Sequence, residues 1–139
     1  MDRPKVLVVD DDADLRRTVS FLLDPVCEVL EASKGSDALE IIRKQHPSLM
    51  LLDLVMPAMR GDEVLAAAHA LDPSMTVIML TGEQELELAQ KTLALGAVEY
   101  ITKPFDAEFL KDEVKRLLSS RFKKPDDGPP WRLQPGSGL

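Results

Sequence analysis

Five polar side chains in this 139-residue chain stand at the ends of short apolar runs, and their types suit phosphate chemistry. Asp10 and Asp11 follow Val6-Leu7-Val8-Val9. Asp53 follows residues 49–52, Thr81 follows residues 76–80, and Lys103 follows residues 98–101 with Thr102 between. If these runs are parallel strands, all five positions share one edge of a sheet. Three carboxylates, a hydroxyl and an ammonium would then converge on one shallow pocket. Like charges packed at ~4 Å, at an effective dielectric near ~20, cost on the order of 4 kcal/mol per pair. One lysine offsets only part of that. A hard divalent cation offsets the rest, and an all-oxygen pocket with room for water suits Mg²⁺. A phosphoryl group is the natural further ligand: a cation and Lys103 neutralise its oxygens and the Thr81 hydroxyl donates to one of them. A carboxylate can be the nucleophile and form an aspartyl phosphate. Asp53 is best placed for that, alone at the end of a central run, which leaves Asp10 and Asp11 to hold the metal.

The intervening segments must position these groups. The continuous, β-branched runs read as strands buried on both faces. Between them the apolar spacing is helical. Leu15, Val19, Leu22 and Leu23 form one face, with Asp12 as N-cap and Pro25 marking the end. Residues 28–32 read as a second strand and 35–44 as a helix buried through Ala38, Leu39, Ile41 and Ile42. Helices are predicted over 61–71, stopped near Pro73, and over 84–95, with Gly96 at the C′ position. A last helix follows Asp106, with Phe109, Leu110, Val114, Leu117 and Leu118 facing inward. Five strand–helix alternations predict an α/β fold, a parallel sheet with helices on both faces. Ligands in such sheets bind at the carboxyl ends of the strands, beside the switch in strand order.

Composition narrows the function further. The chain is 45% hydrophobic and 29% charged, with a net charge of −7. An acidic surface repels a phosphate backbone, so direct nucleic-acid binding is not expected. No basic amphipathic face suits an anionic membrane, and no apolar run is long enough to cross a bilayer. Cys27 is the only cysteine, so no intrachain disulfide forms. The polar start is not a signal peptide, and a cytoplasmic location is the default expectation. Residues 1–121 form the expected domain. Residues 122–139 are rich in Pro and Gly and read as a flexible tail or linker, with Trp131 as the one residue able to dock.

Val8-Val9-Asp10-Asp11, Asp53-Leu54-Val55-Met56-Pro57, Gly61, Thr81-Gly82 and Lys103-Pro104-Phe105 resemble the motif set of bacterial two-component response-regulator receiver domains. Each motif alone is weak, but all of them in order on successive strand ends are specific. The resemblance implies a flavodoxin-like, doubly wound (βα)₅ three-layer sandwich with strand order 2-1-3-4-5. It implies phosphorylation of Asp53 by a sensor histidine kinase or a histidine phosphotransfer protein. Mg²⁺, with Mn²⁺ as an acceptable replacement, would be held by Asp11, by Asp10 directly or through water, by Asp53 and by the Val55 carbonyl. Lys103 would pair with the phosphoryl group, Thr81 would move toward it, and Tyr100 would turn inward after Thr81. The Lys103–Pro104 peptide would be cis. Partners would dock around Leu15, Arg16, Pro104 and Phe105. The signal would leave through the fourth helix, fifth strand and fifth helix, toward an output domain beyond the tail or a separate effector. Phosphorylation-dependent homodimers are a habit of the family. Such a chain is a switch that catalyses only its own phosphotransfer and dephosphorylation.

Several residues have plainer readings. Asp12 is an N-cap, His46 and His69 are solvated and lack zinc spacing, and the methionines are packing. The acidic stretch 83–87 is a solvated helix start favoured by the helix dipole. Two other functions stay open at this level. One is a Mg²⁺-dependent phosphatase, for which Asp10-Asp11-Asp12 contains the Asp-x-Asp pattern but no cap insertion exists. The other is a phosphate-independent interaction module that retains only the fold.

Overall fold

β1 (Lys5–Val9) carries four consecutive residues with no solvent exposure, as expected of a strand covered on both faces. Val6 and Val8 join one apolar cluster, Leu7 and Val9 the other. The computed structural model describes residues 3–121. The expectation of a flexible tail over 122–139, Trp131 included, lies outside the described residues.

The remaining strands are β2 (Glu28–Ala32), β3 (Leu49–Asp53), β4 (Thr76–Thr81) and β5 (Glu99–Thr102). They form one parallel sheet in the order β2-β1-β3-β4-β5. The helices are α1 (Ala13–Leu23), α2 (Gly35–Gln45), α3 (Gly61–Leu71), α4 (Leu86–Ala94) and α5 (Ala107–Arg121). Val19 and Leu23 of α1 pack with Leu110, Val114 and Leu118 of α5 on one face of the sheet. Ala38 and Ile42 of α2, Val64, Leu65 and Ala68 of α3, and Ala89 of α4 cover the other. The result is the predicted three-layer α/β sandwich. Each fully buried Leu, Ile or Val contributes roughly 1.5–3 kcal/mol, so the two clusters carry the fold.

Register explains the common edge. Val9 lies opposite Leu52, Asp53 opposite Leu80, and Thr81 opposite Thr102. Asp10, Asp53, Thr81 and Lys103 therefore emerge on neighbouring strands at one level. The strand order reverses at β1, which has β2 on one side and β3 on the other.

Local signals act as read, with small corrections. Asp12 caps α1 by accepting from the Asp14 and Leu15 amides. Asp106 accepts from the Phe109 amide at the start of α5. Gly96, at φ +119°, closes α4: the Ala97 amide donates to the Thr92 carbonyl at 3.0 Å, the Schellman arrangement that favours glycine. α4 begins two residues later than predicted, at Leu86, after a 3₁₀ turn (Glu83–Glu85). The Glu85 amide bonds back three residues to the Gly82 carbonyl, and Glu85, at φ −112° and ψ 23°, is the N-cap of α4. β5 is displaced by one residue from the predicted 98–101. Phe109 does not face inward; it is 51% exposed. The buried stripe of α5 runs through Leu110, Val114 and Leu118 at four-residue spacing, and position 109 falls about 100° away from it.

Candidate functional site

Asp10 leaves β1 at the sheet edge with its carboxylate buried. Its Oδ1 accepts from the Asp12 amide at 3.0 Å and its Oδ2 from Lys103 Nζ at 3.0 Å. Its own amide donates to the Ala32 carbonyl, tying the turn to β2. Asp53 closes β3, and its Oδ1 lies 3.2 Å from the same Lys103 nitrogen. Asp11 is exposed. Carboxylate oxygens of Asp10, Asp11 and Asp53 approach within 4.8 Å of one another. That is a donor set for a hard cation.

Electrostatics follow from this crowding. Burial and then the Asp10 charge push the Asp53 carboxyl up to about 6, against the pull of Lys103 and the Val55 backbone N–H. Burial works against the Lys103 ammonium. Its hydrogen bond to Asp10 and the two carboxylate charges outweigh that and hold it above the usual lysine range.

The loop after β3 is shaped by close packing. The Gly61 amide donates to the Leu54 carbonyl at 2.7 Å. A Cβ at Gly61 would stand 2.4 Å from the Asp53 carbonyl oxygen and 2.7 Å from Leu54 Cα. Only glycine lets α3 begin this near the Asp53 backbone. Ala58, between them, has φ 72°, left-handed for a residue with a Cβ.

Thr81 is buried, and its hydroxyl donates to the Gly82 carbonyl at 3.1 Å. Tyr100 is half-buried against the cluster under α2, α3 and α4. The Lys103–Pro104 peptide is cis. Val55 is 52% exposed beside the pocket. A groove of about 280 Å³ adjoins Lys103, lined among others by Leu15, Thr18, Pro104 and Phe105.

Residues 6–115 match the family model of the response regulator receiver domain. The chain belongs to that family. It is 34% identical over 119 residues to the sporulation initiation phosphotransferase F of Bacillus subtilis, covering 85% of this receiver and 96% of that protein. It is 34% identical over 135 residues to the probable transcriptional regulator ycf27 of Porphyridium aerugineum, but spans 56% of its length. Among solved structures, a response regulator receiver domain protein of Methanospirillum hungatei superposes with a TM-score of 0.82. It is 33% identical, with 86% of this chain and 97% of that chain covered. Receivers of this family are signalling switches of two-component systems, and they bind Mg²⁺ at an acidic pocket of this kind.

The structure brings together Asp10, Asp11, Asp53 and Lys103, with Thr81 beside them in register. Leu15, Pro104 and Phe105 gather along the adjoining groove. Arg16 stands apart from that groove. Its Nη1 donates to the Asp10 carbonyl at 2.7 Å and its Nε to Glu31 Oε1 at 3.1 Å, leaving the side chain 18% exposed. Sequence reasoning had no signal for this inward turn, because Glu31 becomes a neighbour only through β1–β2 pairing. A carboxylate pair between β5 and α5, Glu99 with Glu113, was likewise unforeseen. No helix among the described residues is long and apolar enough to cross a membrane.

Proposed function

We propose that this receiver accepts a phosphoryl group on Asp53 from a sensor histidine kinase or a histidine phosphotransfer protein, in a Mg²⁺-dependent reaction. The observation that carries the reading is the convergence of three carboxylates, with oxygens within 4.8 Å of one another, and Lys103 bridging two of them at 3.0 and 3.2 Å. The donor set fits Mg²⁺: Asp10, Asp11, Asp53 and the Val55 carbonyl would hold the ion, with Mn²⁺ acceptable in its place. The bound ion supplies neutralisation of phosphoryl oxygens.

The chain's own residues do the rest. An Asp53 carboxylate oxygen attacks phosphorus in line with the scissile bond. The P–N bond to the donor imidazole breaks, and the leaving nitrogen keeps the electron pair. The Lys103 ammonium, already beside Asp53, donates to the phosphoryl oxygens. The Thr81 hydroxyl turns from the Gly82 carbonyl to a phosphoryl oxygen, and Tyr100 moves into the space it leaves. The two-state element biased by this rearrangement is the α4–β5–α5 surface, where Leu93 and Val98 are already exposed. An output domain or separate effector reads that surface, and a phosphorylation-dependent homodimer forms through it. Donor proteins dock on the groove at Leu15, Pro104 and Phe105, with Arg16 supporting α1 from beneath. The receiver acts on no other substrate and catalyses only its own phosphotransfer and dephosphorylation, in the cytoplasm.

The test is intact mass after incubation with acetyl phosphate, with and without Mg²⁺. A metal-dependent phosphoryl adduct on the native chain, absent from Asp53→Asn, is expected. No adduct, together with no response to beryllofluoride, would leave a phosphate-independent interaction module.

A further inference from the structure

The three carboxylates are held by different means. Asp10 is fixed by Lys103 and the Asp12 amide, and Asp53 by Lys103. The Asp11 carboxylate has no hydrogen bond or ion pair to another described residue. With no partner to hold its side-chain torsions, what is fixed is the direction of its Cα–Cβ bond, set by the backbone and the planar peptide that joins Asp10 to Asp11. The carbonyl of that peptide is the one to which Arg16 donates at 2.7 Å. Turning the peptide plane would swing the Asp11 Cα–Cβ bond, and the Arg16 bond opposes that turn.

Arg16 is itself fixed. Its Nε meets Glu31 Oε1 at 3.1 Å, and the other oxygen of Glu31 accepts from Ser20 Oγ at 2.9 Å, one turn further along α1. Glu31 neutralises the guanidinium locally, so Arg16 contributes geometry at the acid pocket more than charge. The neighbouring Arg17 shows the contrast: its side chain is 73% exposed and, among the described residues, pairs within α1, with Asp14.

We propose that Arg16 is a positioning residue for the metal-ligating carboxylate of Asp11, acting through the Asp10–Asp11 peptide, with Glu31 and Ser20 fixing its guanidinium. This rests on the reading of Asp11 as a Mg²⁺ ligand. Supports one step removed from the metal are typically worth about tenfold or more in affinity.

Mn²⁺ is the probe, its free fraction read by electron paramagnetic resonance. Arg16→Gln, Arg16→Lys and Glu31→Gln are compared in the native and Asp11→Asn backgrounds, with amide NMR spectra reporting the fold. Arg16→Gln is expected to weaken Mn²⁺ binding about tenfold in the native background and far less once Asp11 is Asn. Arg16→Lys, which lacks the planar guanidinium fork that reaches the carbonyl with one nitrogen and Glu31 with another, should fall between. An equal loss in both backgrounds means general loosening and overturns the proposal, as does native affinity in Arg16→Gln. If Arg16→Gln does not fold, Arg16→Lys and Glu31→Gln decide by the same comparison. If Mn²⁺ binds and Asp11→Asn weakens it while the Arg16 variants do not, only this proposal fails. If the native chain binds no Mn²⁺, the metal reading fails with it.

Discussion

Lys103 Nζ lies 3.2 Å from Asp53 Oδ1, reaching across the end of β4 from β5 to β3. The same nitrogen serves Asp10 at 3.0 Å. In the absence of metal one ammonium thus holds two buried carboxylates near each other. On the proposed Mg²⁺ reading it would also compete with the cation for them. Lys103→Met should therefore have opposite effects on fold and metal. Removing one partner of a buried ion pair costs about 3 kcal/mol or more, so the metal-free variant should unfold at lower urea. Its Mg²⁺ affinity should rise several-fold, because a competing positive charge is gone. Adduct formation with acetyl phosphate should fall about 10²-fold, the scale for losing one fixed charge-stabilising donor. Urea melts with and without Mg²⁺, followed by mass spectrometry, check all three, and weaker Mg²⁺ binding would contradict the competition.

Asp53 links the site to pH. Its folded pKa, about 6, exceeds the ordinary aspartate value near ~3.9. The folded state then holds the proton more tightly, so this group stabilises below about 4 and the contribution is lost as pH rises through 6. Ionised Asp53 is a strain that the metal-free fold carries at neutral pH. Asp53→Asn removes it, and the variant should be more stable than the native chain by about 1–3 kcal/mol at pH 7.5. The difference should shrink as pH falls below 6. A constant difference across that range would place the effect elsewhere.

The parallel sheet and the convergence of Asp10, Asp53, Thr81 and Lys103 were legible because runs such as Val6–Val9 end abruptly in polar residues, and parallel strands place all their ends on one edge; the strand order came only from the resemblance to the receiver family. What escaped the sequence depends on distance through space. Arg16 points inward only because β2 brings Glu31 beside α1. Phe109 is turned outward because helical register, not hydrophobicity, decides which residues of α5 reach the sheet. The late start of α4 arises from one i→i+3 bond at Gly82, which acidic composition did not reveal.

Ala58 offers a gain in stability. Its φ of 72° places a Cβ in the left-handed region, where an L-residue is disfavoured by about 1–2 kcal/mol. Glycine relieves this but loses more entropy on folding, about 0.5–1 kcal/mol relative to alanine. Ala58→Gly should therefore stabilise the domain by about 0.5–1 kcal/mol, seen as a higher midpoint in urea at unchanged slope. Because Ala58 lies between Asp53 and Gly61, the phosphorylation rate is a useful second readout. A lower midpoint would mean that the loop is not held in this conformation in solution.

Glu99 carries the second pH-dependent element, away from the acid pocket. It leaves β5 toward α5, where its Oε2 is buried without a hydrogen-bond partner. Arg116 Nη2 is 3.7 Å from Glu99 Oε1 but 2.7 Å from Glu113 Oε1, so the guanidinium favours Glu113. Burial, followed by the hydrogen bond and charge of Glu113, raises the Glu99 carboxyl to about 7, with Arg116 opposing. Glu113 itself is held below the usual range, first by its bond to Arg116. A proton on Glu99 supplies the bond between the two carboxyl groups, and its loss leaves two like charges between β5 and α5. With the folded value above the unfolded one, this contribution is present below about 4 and disappears as pH rises through 7. Glu99→Gln keeps the neutral form at every pH. After allowing for solvent screening of a side chain that is 27% exposed, the variant should exceed the native chain by about 1–2 kcal/mol at pH 8.5. The gap should narrow through pH 7 and close near 4. Urea melts across that range check it, and parallel pH profiles for the two proteins would show that Glu99 is ionised throughout.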